Sequence, residues 1–81
     1  QGQWEDSVEW VRDIFTSNRA GLTEMERQIV MERFALLTRG KGRTLMEISR
    51  IVNLSTERVR QLLKRALQKI HKVMDREALV A

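Results

Sequence analysis

The sequence contains no cysteine, no proline and no tyrosine. Without cysteine there is no disulfide framework, no thiolate nucleophile and no cysteine-based zinc site. A chain this small that dispenses with disulfides suits a cytoplasmic protein. Apolar runs stop at four residues, as at Phe34, Ala35, Leu36 and Leu37. That is far short of the roughly 20 needed to cross a bilayer and of a signal-peptide core, so no membrane partner is expected. With proline missing and only four glycines, at positions 2, 21, 40 and 42, the abundant leucine, methionine, glutamate and arginine are the vocabulary of helices. The 81 residues make one small domain over 1–81, and a chain of this size hides only about 60–65% of its unfolded surface.

Catalytic material is equally scarce. His71 is the one histidine, and its neighbours Lys69 and Lys72 mark a solvated helix side. The carboxylates are scattered over helix exteriors and caps, and no metal-ligand spacing occurs. A phosphate-cradling loop needs a longer glycine pattern ending in Gly-Lys-Ser/Thr after a strand, whereas Gly40-Lys41 is followed by Gly42 in helical surroundings. The sequence therefore predicts no enzyme, no metal and no cofactor.

Charge is present, and it is segregated. Residues 1–38 carry four basic and seven acidic side chains, net −3, while 39–81 carry eleven and four, net +7, which together make the +4 of the chain. Such asymmetry favours a polyanion at the C-terminal half; a generic solvated basic surface is the alternative.

Apolar periodicity predicts an all-α fold, a small helical bundle of four to five helices that contains a helix-turn-helix. The helices are expected near 4–16, 23–36, 44–52 and 55–76. In the first, Trp4, Val8, Val11 and Phe15 are spaced 4, 3 and 4, widened by Trp10 and Ile14. Thr23 and Glu26 form a capping box for the second, with Leu22 placed as its staple. Met25, Ile29, Val30, Phe34 and Leu37 give that helix broad apolar coverage, which marks it as central. Arg39-Gly40-Lys41-Gly42-Arg43 is a basic loop whose glycines relieve backbone restrictions; Arg43 is a candidate phosphate contact. Thr44 and Glu47 cap the third helix, which buries Leu45, Ile48 and Val52. Asn53 tolerates a left-handed end, Leu54 plugs the angle, and Ser55 caps the last helix. That helix buries Val59, Leu63, Ala66, Ile70 and Val73, and beyond Ile70 it must pack on the first helix or await a partner.

Subtracting this stripe leaves Thr56, Glu57, Arg60, Gln61 and Lys64 outward. In a major groove, the N-terminal part of a recognition helix meets bases. Arginine donates a fork to guanine, glutamine pairs with adenine, glutamate accepts from cytosine, and threonine meets a polar edge or a thymine methyl. Thr56, Glu57, Arg60 and Gln61 are thus candidate base readers. Arg58, Lys64, Arg65, Lys69 and the helix N-terminus at Ser55 are candidates for phosphate. Ordinary helix propensity and solubility also place such residues on exposed faces.

The stretches Leu22–Leu36 and Arg43–Ile70, and above all Glu57-Arg58-Val59-Arg60-Gln61 just after the turn, resemble region 4 of bacterial RNA polymerase sigma factors. The resemblance covers a little under two thirds of the chain. It implies recognition of double-stranded promoter DNA at the minus-35 element as part of a sigma factor directing transcription initiation. By it, Glu57 and Gln61 match base-reading positions, Arg58, Arg60 and Lys64 match or flank backbone positions, and Arg27 and Arg33 match basic positions on the DNA-facing side of the neighbouring helix. It also implies a contact with the flap of the core polymerase beta subunit, for which Ile29, Val30, Phe34 and Leu36 are the candidates.

Departures from the family pattern are specific. Thr56 replaces an arginine, so the preferred promoter sequence is expected to differ. Asn53 replaces a glycine but keeps left-handed tolerance, whereas Ala35 replaces a glycine and favours continued helix. Leu63 replaces an acidic residue and adds apolar surface for a further protein contact, and the segment Asp75–Ala81 does not match the family's basic tail. The alternative reading is a protein-interaction module that binds the flap or a regulator such as an anti-sigma or activator protein, with Trp4, Trp10 and Phe15 as an exposed anchor surface.

Overall fold

In a computed structural model, residues 2–35 and 41–80 are described, with side chains over 9–35 and 41–79. Four helices follow one another: α1 (Gly2–Ser17), α2 (Glu24–Phe34), α3 (Leu45–Val52) and α4 (Thr56–Val80). The described residues contain no strand.

Polar caps set the boundaries. Thr23 lies one residue outside α2. Its hydroxyl accepts from the Glu26 amide at 3.1 Å, and its own amide donates to the Glu26 carboxylate at 2.9 Å. Thr44 and Glu47 repeat the reciprocal pair at 3.1 and 2.8 Å ahead of α3. Each box satisfies two amides that the first helical turn cannot.

Left-handed residues end three of the helices. Asn18 (φ 55) follows α1, Ala35 (φ 50) ends α2 and Asn53 (φ 59) ends α3. Asn18 does more than turn: its side chain accepts from the Leu22 amide at 2.9 Å and donates to the Leu22 carbonyl at 3.2 Å, which closes the α1–α2 connection. The expectation that Ala35 continues the helix is corrected here. Gly42 presses against the end of α2, where a Cβ would stand 1.8 Å from the Arg33 carbonyl oxygen, so the chain must turn at Ala35 for the loop to dock. Gly42 is required for space and not for left-handed backbone. Gly40 and Arg39 lie outside the described residues.

Two clusters make the core. Ile14 and Phe15 of α1, Leu22, Val30 of α2, and Ala66, Ile70 and Val73 of α4 form the first. Ile29 of α2, Ile48 of α3, and Val59 and Leu62 of α4 form the second. Leu63 packs against both, so this position joins the clusters and only part of it remains as surface. α4 packs on each of the other three helices, which makes it the central element in place of α2. Phe34, expected inside, is 47% exposed, and Leu37 lies outside the described residues.

α4 continues to Val80, and its last turns pack on α1. Trp10 Nε1 donates to the Glu77 carboxylate at 2.8 Å, and Arg19 holds the same carboxylate through Nε at 2.7 Å and Nη2 at 3.0 Å. Phe15 is 2% exposed and Trp10 is half-buried, so these two do not form an exposed anchor. The Trp4 and Val8 side chains are outside the described residues.

Candidate nucleic-acid interface

The turn between α3 and α4 is built by three residues. Asn53 reverses the chain in left-handed conformation, and the Leu54 amide donates back to the Ser49 carbonyl at 3.0 Å. Leu54 packs into the second cluster. Ser55 then caps α4, its hydroxyl accepting from the Arg58 amide at 3.1 Å. Because Val59 and Leu62 are buried, the helical period forces Thr56, Glu57, Arg60 and Gln61 outward, and all four are exposed.

These outward residues are wired to one another. Arg60 grips the Glu57 carboxylate with Nε and Nη2, Gln61 Nε2 reaches the same carboxylate at 3.5 Å, and Arg58 Nη1 approaches Gln61 Oε1 at 3.4 Å. The Arg60 hydrogen bonds hold the Glu57 carboxyl below the usual glutamate range, and Glu57 in turn raises Arg60. The face therefore presents an anion, a guanidinium and an amide side by side, a mixture of hydrogen-bond donors and acceptors. Thr56 turns its hydroxyl toward Ser49 Oγ, at 3.5 Å.

The candidate phosphate residues divide. Arg58, Lys64 and Arg65 are exposed along α4, beside or beyond the outward set. Arg33 is exposed at the end of α2, with Nη1 donating to the Arg43 carbonyl at 2.9 Å. Arg43 is tied through Nε to Glu32 at 2.7 Å, its side chain half in water. Arg27 is placed differently from the expectation. It is half-buried with its guanidinium 5.1 Å from the Phe15 ring centre, and its Nε is buried without a partner. That stacking makes it part of the α1–α2 packing.

Of the flap candidates, Ile29 and Val30 are 0% and 1% exposed. They are core residues because Ile29 packs against α3 and α4 and Val30 against α1 and α4, and they offer no surface to a partner. Phe34 remains exposed, and Leu36 lies outside the described residues.

Lys69, expected on a solvated helix side as a phosphate contact, is placed differently: its ammonium meets the buried Glu26 carboxylate at 2.8 Å. No local signal links positions 43 residues apart; only the burial of Glu26 could have suggested a cationic partner. His71 is exposed and 3.7 Å from Asp75. No cluster of three potential metal ligands occurs among the described residues.

A family model described as Sigma-70, region 4 matches residues 20–72. The RNA polymerase sigma factor SigA4 of Synechococcus elongatus is 51% identical over 51 residues, 63% of this chain and 16% of that protein. The RNA polymerase sigma-C factor of a Nostoc species is 47% identical over 51 residues, 63% of this chain and 12% of that protein. A probable RNA polymerase sigma-C factor of a Synechocystis species is 47% identical over 49 residues, 60% of this chain and 12% of that protein. The matched part is thus a small fraction of each relative. No solved structure matches the chain. With a capped helix-turn-helix at its centre and a match over residues 20–72, the chain belongs to the Sigma-70 region 4 family.

Proposed function

We propose that the chain is the promoter-recognition part of a sigma factor and binds the minus-35 element as double-stranded DNA, with the first turns of α4 in the major groove. The observation that carries the reading is the outward array of Thr56, Glu57, Arg60 and Gln61 immediately after a Ser55 cap, in a chain of the region 4 family. Glu57 and Gln61 read bases, Arg60 donates to a base edge or the groove rim, and Thr56 supplies a short contact where a longer donor would reach farther. Arg58, Lys64, Arg65 and Arg33 hold phosphates, with Arg43 and the α4 N-terminus at Ser55 beside them.

Titration of labelled duplexes with and without a minus-35-type element, across a salt series, tests this. The expected result is preference for the element and an affinity that falls steeply with salt, by roughly 0.9 logarithmic units per phosphate contact per decade. Binding indifferent to both overturns the reading. Gln61→Ala is expected to remove about 1–3 kcal/mol of discrimination at one base pair. An equal loss on every sequence takes Gln61 off the bases.

A second surface belongs to the same role. Phe34 is 47% exposed at the end of α2, away from the core that holds Ile29 and Val30, and is the residue proposed to meet the polymerase beta flap.

A further inference from the structure

Thr56 is the first residue of α4, and its short side chain carries two different groups, a hydroxyl and a methyl. The hydroxyl faces inward. Thr56 Oγ1 lies 3.5 Å from Ser49 Oγ of α3, and the Ser49 hydroxyl is itself committed, donating to the Met46 carbonyl at 2.6 Å. With its single proton spent there, the Ser49 oxygen can only accept, so the Thr56 hydroxyl donates to it. Ser49 is 9% exposed, which sets the Thr56 oxygen against the α3 side of the turn.

Thr56 is nonetheless exposed. Its β-carbon bears the hydroxyl, the methyl and a hydrogen, so a hydroxyl turned to α3 leaves the methyl as the group offered outward. The two move together: rotating χ1 to bring the hydroxyl into the groove carries the methyl to another staggered position. Neither neighbour on this face lays a polar group over the methyl. Arg60, one turn on, gives Nε and Nη2 to Glu57, and Gln61 Nε2 leans to the same carboxylate. The first turn of α4 therefore presents an apolar point ahead of a polar array.

In the major groove the apolar feature of a base edge is the C5 methyl of thymine, whereas the other edges present donors and acceptors. A methyl set against those polar groups would strip them of water and return no hydrogen bond. We propose that Thr56 selects a thymine in the bound element through contact of its methyl with the C5 methyl, and that Ser49 is a positioning residue that holds the hydroxyl away from the groove. The assignment rests on the reading of α4 as the recognition helix. It makes discrimination at this one base pair apolar, in contrast to the hydrogen-bonded reading by Glu57 and Gln61.

The test places thymine or deoxyuridine opposite adenine at each position of a minus-35-type duplex in turn, on either strand. Deoxyuridine lacks the C5 methyl and keeps every hydrogen-bonding group of thymine. The 81-residue chain is expected to bind one deoxyuridine duplex about fourfold more weakly than its thymine counterpart, the worth of one buried methyl-sized group. Thr56→Val, which keeps the methyl, is expected to preserve that ratio, Thr56→Ser, which keeps the hydroxyl, to abolish it, and Ser49→Ala to reduce it. Each ratio compares two duplexes on one protein, so incomplete folding of a variant lowers both affinities and leaves the ratio readable. Ratios near one at every position, a ratio that survives Thr56→Ser or is lost in Thr56→Val, or one undiminished in Ser49→Ala overturns the proposal. Preference for the element with flat ratios overturns this proposal alone; no preference for the element over unrelated duplex overturns the recognition-helix reading, and this proposal with it.

Discussion

Ala35 holds φ 50 and ψ 46 at the end of α2, a conformation that costs a residue with a Cβ roughly 1–2 kcal/mol. Glycine removes that cost, so Ala35→Gly is expected to stabilise the chain by about 1 kcal/mol, read as a higher Tm; an unchanged or lower Tm contradicts the strain. Gly42 is the opposite case. Its backbone is unstrained, but an added Cβ meets the Arg33 carbonyl oxygen at 1.8 Å. Gly42→Ala is expected to cost about 1–3 kcal/mol as overpacking, read by urea unfolding. Both residues sit where α2 must stop for the loop to fold back, which is why neither role was visible from composition. A glycine in a basic loop reads as flexibility, and an alanine after a helix reads as more helix. Asn53 was legible, because its place between an apolar stripe and a capping serine leaves only a few residues for a reversal.

At the level of elements, the capping boxes made α2 and α3 readable to within a residue at their starts, since the pattern Thr-x-x-Glu encodes its own hydrogen bonds. The length of α4 was not readable to the same degree. Charged and apolar residues beyond Ile70 support helix either way, and what stabilises the last turns is the contact of Glu77 with Trp10 and Arg19. Those hydrogen bonds hold the Glu77 carboxyl below the usual range, Arg19 contributing most and Trp10 next. Glu77→Ala is expected to speed amide hydrogen exchange in α1 and in the last turns of α4 while α3 and the start of α4 keep their protection. Uniform acceleration throughout instead makes α1 part of the global folding unit. The same substitution is expected to leave duplex binding unchanged, because the clasp lies at the far end of α4 from Thr56.

At the level of the whole molecule, charge and burial act together. The net +7 of residues 39–81 gathers on α4 and the loop before α3, which steers a polyanion toward the helix-turn-helix. One anion is kept inside: Glu26, 1% exposed, joins the start of α2 to Lys69 of α4. Burial pushes its carboxyl up, but the Lys69 ammonium and the Thr23 amide and hydroxyl together outweigh burial and hold it below the ordinary value. A carboxyl lowered by folding stabilises the fold above its unfolded pKa, and that stability is lost as pH falls through the lowered folded value. Stability is therefore expected to decline on the acid side of the ordinary glutamate range, and Glu26→Gln to flatten that decline, as read by urea unfolding against pH. An equally steep decline in the variant assigns it to other carboxylates.

The sequence by itself determined the helices, their caps, the reversal at Asn53 and the outward set on the first turns of α4. Each of these depends on neighbours within a few positions, where helical spacing and hydrogen-bonding reach are fixed. Only the tertiary structure decided that α4 is the central helix, that Ile29 and Val30 are core, that Arg27 stacks on Phe15, and that Glu26 finds Lys69. It also decided that α1 and the end of α4 close into a clasp. These outcomes depend on which faces meet across long separations in the chain, and an apolar stripe specifies that it will be covered without specifying by what.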